Sequence, residues 1–340
     1  MRTTAAVSDA NRLGLDYRHA ARQFGQPGPI FDVHTHIHSL PAARLFMQVC
    51  DVFNVERVWA MAPLEIVDDV RAEFGDRIQF IAVPNYHNPD KDAAFSTDWF
   101  YRLEKFREKG SVIFKIWAAP RGRDFTSHLR LDAPVRRQGM KLACELGYKA
   151  VMTHVGDPDT WFAHQYADVR KYGGKASHID QLRRMLDEFG DLPWIGAHMS
   201  GWPERPDILA DLLTRYPNYH LDTSATKWMI REWSQRPDAI RELFERFPGR
   251  LLFGSDIVAD ESNMNFDLFA SRYWALRTML ETDYQGPSPI VDPDLKTLNP
   301  AAGDKQTAEL HGLKLKPATL RMLYHEAPRR FFEHLGGESI

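Results

Sequence analysis

Disulfide chemistry is excluded first, because the chain holds only two cysteines, Cys50 and Cys144, far apart and without a CxxC spacing. They can build neither a disulfide framework nor a cysteine zinc site, and both are expected to be reduced. Long apolar runs are missing as well. Nothing approaches the roughly 18 consecutive apolar residues of a membrane span, so no membrane partner is expected. Residues 1–29 scatter arginines and polar residues, with no apolar stretch of the kind a secretory signal needs, and a cytoplasmic location is expected. An excess of one charge is lacking too. Lysine plus arginine number 43 against 46 aspartates and glutamates, a net charge of −3. That balance excludes the basic footprint of a nucleic-acid binder and leaves a small-molecule substrate as the expected partner. Assembly into a homo-oligomer is left open.

What is present is apolar content arranged in a rhythm. With 340 residues, 44% of them hydrophobic, the chain is long enough for one large core, and a single α/β barrel commonly fills this length. Eight short β-branched runs recur from residue 30 onward: 30–36, 55–61, 77–84, 111–117, 149–155, 193–199, 218–224 and 250–256. Amphipathic stretches lie between them, among them 41–53, 97–109, 135–146, 178–189, 206–216 and 236–247. Eight strands with crossover helices predict a (β/α)8 TIM barrel over residues 30–335, as one domain behind an N-terminal extension of residues 1–29. The stretch 258–316 breaks the rhythm. It predicts one helix at 266–281 and then a proline- and glycine-rich loop, QGPSPIVDPDLKTLNPAAGD, too long for an ordinary connection. Such an insertion after the eighth strand is expected over the active-site face, and a last helix, 317–335, is expected to close the barrel.

Barrel enzymes carry their chemistry at the C-terminal ends of the strands, and ionisable residues gather there. The first run ends in His34 and His36, the fourth carries Lys115, the fifth ends near His154, the sixth near His198, the seventh carries Asp222 and the eighth ends in Asp256. An HxH pair alone says little, since 14 histidines in 340 residues give about 0.6 such pairs by chance. Position strengthens it. Residues two apart on a strand share a face, so both imidazoles can point into the barrel mouth toward one cation. Adding His154 and Asp256 completes a mixed nitrogen and oxygen site of the kind that suits zinc, and the first and eighth strands of a closed barrel are neighbours.

The motifs FDVHTH, THVGDP, GAHMSG and FGSD, in that order, resemble those of the amidohydrolase superfamily. Within it they resemble the amidohydrolase-related branch of small-acid hydrolases, lactonases and metal-dependent decarboxylases. The resemblance spans about residues 30–335. It departs near the C-terminus, where related chains often have Asn-Ala and this one has His325-Glu326-Ala327-Pro328. It implies that His34, His36, His154 and Asp256 are metal ligands or lie beside the metal, and that His198 is a catalytic or second-metal residue. Lys115 stands where superfamily members with two metals carry a carboxylated lysine, while a substrate-pairing ammonium suits a one-metal site. One divalent ion, most simply zinc, is expected.

Two activities remain open on these motifs. One is hydrolysis of an amide, lactone or related C–N or C–O bond of a small anionic substrate, with Asp256 as proton acceptor, His198 assisting and Lys115 orienting the substrate. The other is nonoxidative decarboxylation or hydration of an aromatic or unsaturated acid. Loop residues after the strands, including Trp117, Trp161, Trp202, Trp228, Arg205 and Arg231, would favour a planar or partly apolar substrate with an anionic group wherever they line the mouth.

Overall fold

The computed structural model describes residues 8–126, 129–301 and 303–335, so residues 1–7 of the expected N-terminal extension lie outside the described residues. The eight expected runs all become parallel strands: β1 (Ile30–Ile37), β2 (Val55–Met61), β3 (Ile78–Ala82), β4 (Ile113–Trp117), β5 (Ala150–His154), β6 (Trp194–Gly196), β7 (Tyr219–Asp222) and β8 (Leu251–Leu252). They are nearly unbroken apolar runs because helices cover one face and the barrel interior the other. In β1 every residue but His36 is buried.

The eighth strand is split, where one continuous run over 250–256 was expected. After β8 the chain leaves the sheet for four residues and resumes as β9 (Ile257–Ala259). Asp256 has φ +57°, and a Cβ at Gly254 would lie 3.0 Å from the Cβ of His34 and 3.4 Å from that of Asp222. The break is therefore imposed by close approach of this backbone to β1 and β7. It does not open the barrel. β8 pairs with β7, β9 pairs with β1, and in between Val33 N–H donates to Phe253 O (2.9 Å) and Asp256 N–H to His34 O (2.8 Å).

The crossover helices follow amphipathic logic. Helix Leu40–Val52 starts at Ser39, whose hydroxyl accepts from Ala42 N–H, and buries Ala43, Phe46, Met47 and Cys50. Helices Pro206–Arg215 and Pro237–Arg246 each begin with proline in the first turn, where the missing N–H costs nothing.

Helix Phe266–Glu281 has the expected bounds but belongs to the barrel. It packs between helix Leu40–Val52 and helix Thr226–Trp233, under the N-terminal turn Tyr17–Ala21, and is buried almost all round. The proline-rich run is likewise not a bare loop. Strand β10 (Gln285–Val291) pairs antiparallel with β11 (Thr307–His311). A two-stranded ribbon leaves room for Pro287 and Pro289 because one edge of each strand is free. The N-terminal segment borders it: Arg12 N–H donates to Pro289 O at 2.9 Å and Val291 N–H to Asp9 O at 2.8 Å.

Strand pairing closes the barrel, and the last helix has a different place from the one expected. It runs Pro317–Arg321, through a π turn Met322–Glu326 ahead of Pro328, into Ala327–His334. Its His325 meets Phe31 at the start of β1 and its Phe331 meets His220 at the start of β7, so it covers the end of the barrel away from the polar cluster. Among the described residues no helix is long and apolar enough to cross a membrane, and both cysteines are free.

Candidate metal centre

His34 is the hub. Inward alternation along β1 puts Asp32, His34 and His36 on the interior face. The His34 ring is fully buried, with Nδ1 2.7 Å from Asp222 Oδ2 and Nε2 2.8 Å from Lys115 Nζ. A carboxylate only accepts, so Nδ1 carries the proton and Nε2 the lone pair. That lone pair also faces the neighbouring segment between β8 and β9: Nε2 is 3.4 Å from Asp256 Oδ1, which is also 3.2 Å from His36 Nε2. The left-handed backbone at Asp256 turns its carboxylate inward here.

Three donors thus converge on one point. Zinc bonds of about 2.0–2.1 Å in a tetrahedral site put neighbouring donor atoms about 3.3–3.4 Å apart, so the spacings at Asp256 fit a zinc-class ion. His34, His198 and Asp222 form a second cluster. Its atoms are already committed to one another: Asp222 Oδ1 accepts from His198 N–H (2.8 Å) and Oδ2 from His34. Asp222 is thereby a carboxylate behind a histidine, the arrangement that fixes the orientation of a ligating imidazole.

His198 sits in a tight turn, Ala197–Gly201, in which His198, Met199 and Ser200 are all left-handed, with φ of 56°, 51° and 59°. Its Nδ1 lies 2.7 Å from Ser224 Oγ, whose hydroxyl also contacts Asp222 Oδ1. Ser224 gives its single proton to the carboxylate, so His198 Nδ1–H donates to Ser224 and Nε2 keeps the lone pair.

His154 stands apart from the converging donors. Its Nε2 is 2.8 Å from Asp157 Oδ1, and its ring neighbours are His198 at 4.5 Å and Trp228 at 6.2 Å. Asp157, itself buried, also accepts from Tyr166 OH at 2.8 Å.

Burial dominates the electrostatics. It pushes the His36 imidazole down to about 4, with Lys115 adding to the fall and Asp256 opposing it. It lowers the Lys115 ammonium to about 8 against the pull of Asp256 and Asp222, and holds His198 well below the usual histidine range. Burial alone would raise both carboxyls. The facing His34 ring nevertheless brings Asp222 to about 2, and the His198, His36 and His34 rings keep Asp256 well below the carboxylate range. Asp32 shows the opposite balance, pushed up to about 7 by burial although Tyr273 OH and the N–H groups of His34 and Ser255 donate to it. At neutral pH His36 and His198 are therefore neutral imidazoles beside ionised Asp222 and Asp256, the protonation states a cation requires.

Of the loop residues singled out in the sequence, Trp228 reaches the centre, and Trp161 packs on Trp228. Trp202 is buried over Lys175, Arg205 pairs with Asp207 on the surface, and Arg231 is buried among Glu232, Asp292 and Asp294. A cleft lined by His36, His38, Met61, Pro63, Tyr86 and His87, among others, opens beside the site. Asp222 stands on the seventh strand without a role legible in the sequence. Its inward position at a strand end, two residues before Ser224, was the available signal.

A family model described as Amidohydrolase matches residues 47–333, a range that starts after β1 and omits His34 and His36. A comparison with curated proteins gives no match. Among solved structures, the crystal structure of dihydroorotase in complex with 5-fluoroorotic acid from Saccharomyces cerevisiae is similar over 90% of this chain and 84% of that one, with 11% identity and a TM-score of 0.48.

Proposed function

This chain belongs to the amidohydrolase family, and on that premise we propose that it is a metal-dependent hydrolase of a small anionic substrate with an amide, lactone or related C–N or C–O bond. The observation that carries the reading is the convergence of His34 Nε2, His36 Nε2 and Asp256 Oδ1, with Asp222 locking the tautomer of His34. These residues would hold one divalent ion, zinc by donor type, and His154 retains Nδ1 as a further donor because Nε2 is spent on Asp157. Such an ion supplies Lewis acidity, acidifying water and polarising a carbonyl oxygen.

The chain's own residues do the rest. Asp256, ionised and half-buried, takes the proton from the attacking water and returns it to the leaving group. His198, neutral and with its Nε2 lone pair free of Ser224, accepts a hydrogen bond or proton from the substrate side. Lys115 pairs with the anionic group of the substrate. A second reading, decarboxylation or hydration of an unsaturated acid at the same centre, is favoured by the Trp228 ring 5.5 Å from His198.

The test is elemental analysis of protein purified without chelator, followed by a screen of carboxylated lactones and amides beside aromatic acids. The hydrolase reading expects about one zinc-class ion per chain and chelator-sensitive ring opening or amide cleavage. Release of carbon dioxide alone selects the second reading, and absence of metal overturns both.

A further inference from the structure

Cations held for structure in this region carry carboxylates. Arg231 is buried against Glu232 at 2.8 Å, Asp292 at 2.5 Å and Asp294 at 3.1 Å, and Arg277 meets Glu281 at 2.5 Å. Arg272, on the same helix as Arg277, Phe266–Glu281, is placed differently. Its Nη1 donates to Ser271 Oγ at 2.9 Å, and among the described residues no carboxylate pairs with its guanidinium. Burial pulls it down to about 10, with the Tyr17 hydroxyl opposing the fall. Lys227, the second residue of helix Thr226–Trp233, likewise has no hydrogen bond or ion pair among the described residues. Burial lowers its ammonium too, Arg272 adds to the fall, and Asp292 and Asp294 oppose it.

Both cations line one cleft of about 730 Å³, bounded by the N-terminal segment, the turn Glu261–Asn263, the start of helix Phe266–Glu281 and the end of β10. Two half-buried charges of one sign, left unpaired in one cleft, are costly unless an anion completes them. Neutral donors stand on the same wall. Ser8 Oγ is buried without a hydrogen-bond partner. Asn265 spends its Oδ1 on the N–H groups of Asp267 and Leu268, which leaves its amide nitrogen as a donor. Two of the carboxylates on the wall are answered elsewhere, Asp9 by Lys305 and Asp304 by Lys296, each at 2.5 Å. The third, Glu261, is exposed.

Charge and donor geometry together select the ligand. A phosphate dianion matches two cations in charge, and its three terminal oxygens point in three directions, so donors arriving from different elements can each be met. A planar carboxylate takes its donors in one plane. None of the histidines and aspartates of the metal centre lines this cleft. We propose that the cleft is a phosphate-binding site separate from the metal centre, in which Arg272 and Lys227 hold the phosphate group of a phosphorylated small molecule or free inorganic phosphate.

The test is titration calorimetry of the purified protein with inorganic phosphate, glycerol phosphate and acetate at one fixed ionic strength. Tighter binding of glycerol phosphate assigns the site to a phosphorylated small molecule, and equal or tighter binding of inorganic phosphate assigns it to the free ion. Acetate is expected to bind roughly tenfold more weakly or worse, and acetate binding as well as phosphate overturns the proposal. Arg272→Met and Lys227→Met should each weaken phosphate binding roughly 10- to 100-fold, the scale of a lost charge-assisted hydrogen bond. Without phosphate their melting temperatures should match or exceed wild type, because each change removes an unpaired half-buried charge, and phosphate should stabilise wild type more than either variant. Phosphate bound at a metal would instead be lost on chelator treatment and survive both substitutions, and that result overturns the proposal. So does a wild type without saturable phosphate binding, or a lowered melting temperature with unchanged phosphate affinity in both variants. If Arg272→Met does not fold, Lys227→Met carries the same comparison alone.

Discussion

Asp222 and Asp256 are both ionised and both contact His34, yet their positions give them different work. The Asp256 side chain is partly exposed and, among the described residues, meets only the Nε2 atoms of His34 and His36, so it is the one placed to exchange a proton. Asp256→Asn is expected to abolish nearly all turnover while the fold is retained, because an amide does not accept the proton a carboxylate does. Near wild-type rates on the natural substrate, with normal circular dichroism, would remove Asp256 as the base. Asp222 is fully buried and acts through other residues, holding the proton on His34 Nδ1 and the backbone of His198. Asp222→Asn should weaken metal affinity about 10–100-fold, the usual cost of losing the carboxylate behind a ligating histidine. Competition with a chelator measures it. Unchanged affinity would show that His34 is oriented without Asp222.

The left-handed turn Ala197–Gly201 is the element that decides where His198 points. Each left-handed non-glycine residue costs about 1–2 kcal/mol, so three in succession need outside support. It comes from Asp222 Oδ1 at the His198 N–H, and from Tyr219 OH 2.6 Å from Ser200 Oγ. Gly201 completes the turn: its φ is +75°, and an added Cβ would lie 2.0 Å from the carbonyl carbon of Gly156. Gly201→Ala is expected to destabilise by at least about 2 kcal/mol and to lower activity by displacing His198. A denaturant midpoint equal to wild type would refute this. At the opposite end, the last helix lays Phe331 on His220, whose pKa burial lowers from 6.5 to about 4, with Arg250 adding to the fall. A depressed histidine contributes stability that is present above pH 6.5 and is lost as pH falls through that window, because the unfolded chain takes up a proton the folded chain refuses. His220→Phe should therefore show a flatter fall in stability between about pH 6.5 and 4 than wild type. Parallel pH curves for the two proteins would count against it.

On the scale of the whole molecule, one residue set on β1 and the β8–β9 break closes the barrel and builds the centre together. Asp32 bonds the N–H groups of His34 and Ser255 and the hydroxyl of Tyr273, tying the first strand, the eighth and the helix outside them. An ion at the centre binds the folded chain and not the unfolded one, so it should stabilise by mass action. Stripping with chelator is expected to lower the melting temperature by several degrees, and adding back zinc should recover it. A melting curve indifferent to both treatments would speak against a resident ion.

All eight barrel strands could be read from the sequence because burial on both faces leaves a local mark, a short β-branched run, and the amphipathic helices leave another. Position at the strand ends likewise makes His34, His36, Lys115, His154, His198 and Asp256 candidates, and parity pairs His34 with His36. Other features leave no such mark. Asp256 meets His36 across a sheet closure, Asp222 reaches His34 from β7 past the strand break, and His154 is turned to Asp157 where the pattern alone made it an equal fourth donor. The strand break at Gly254, the left-handed turn at His198 and the ribbon carrying Pro287 arise because distant backbone comes too close for regular structure. The sequence by itself determined the alternation of elements and which strand ends carry chemistry, since both follow from periodicity along a few residues. Only the tertiary structure decided which donors share one point and which indoles face them, because those are distances between residues far apart in the chain, set by how the barrel closes.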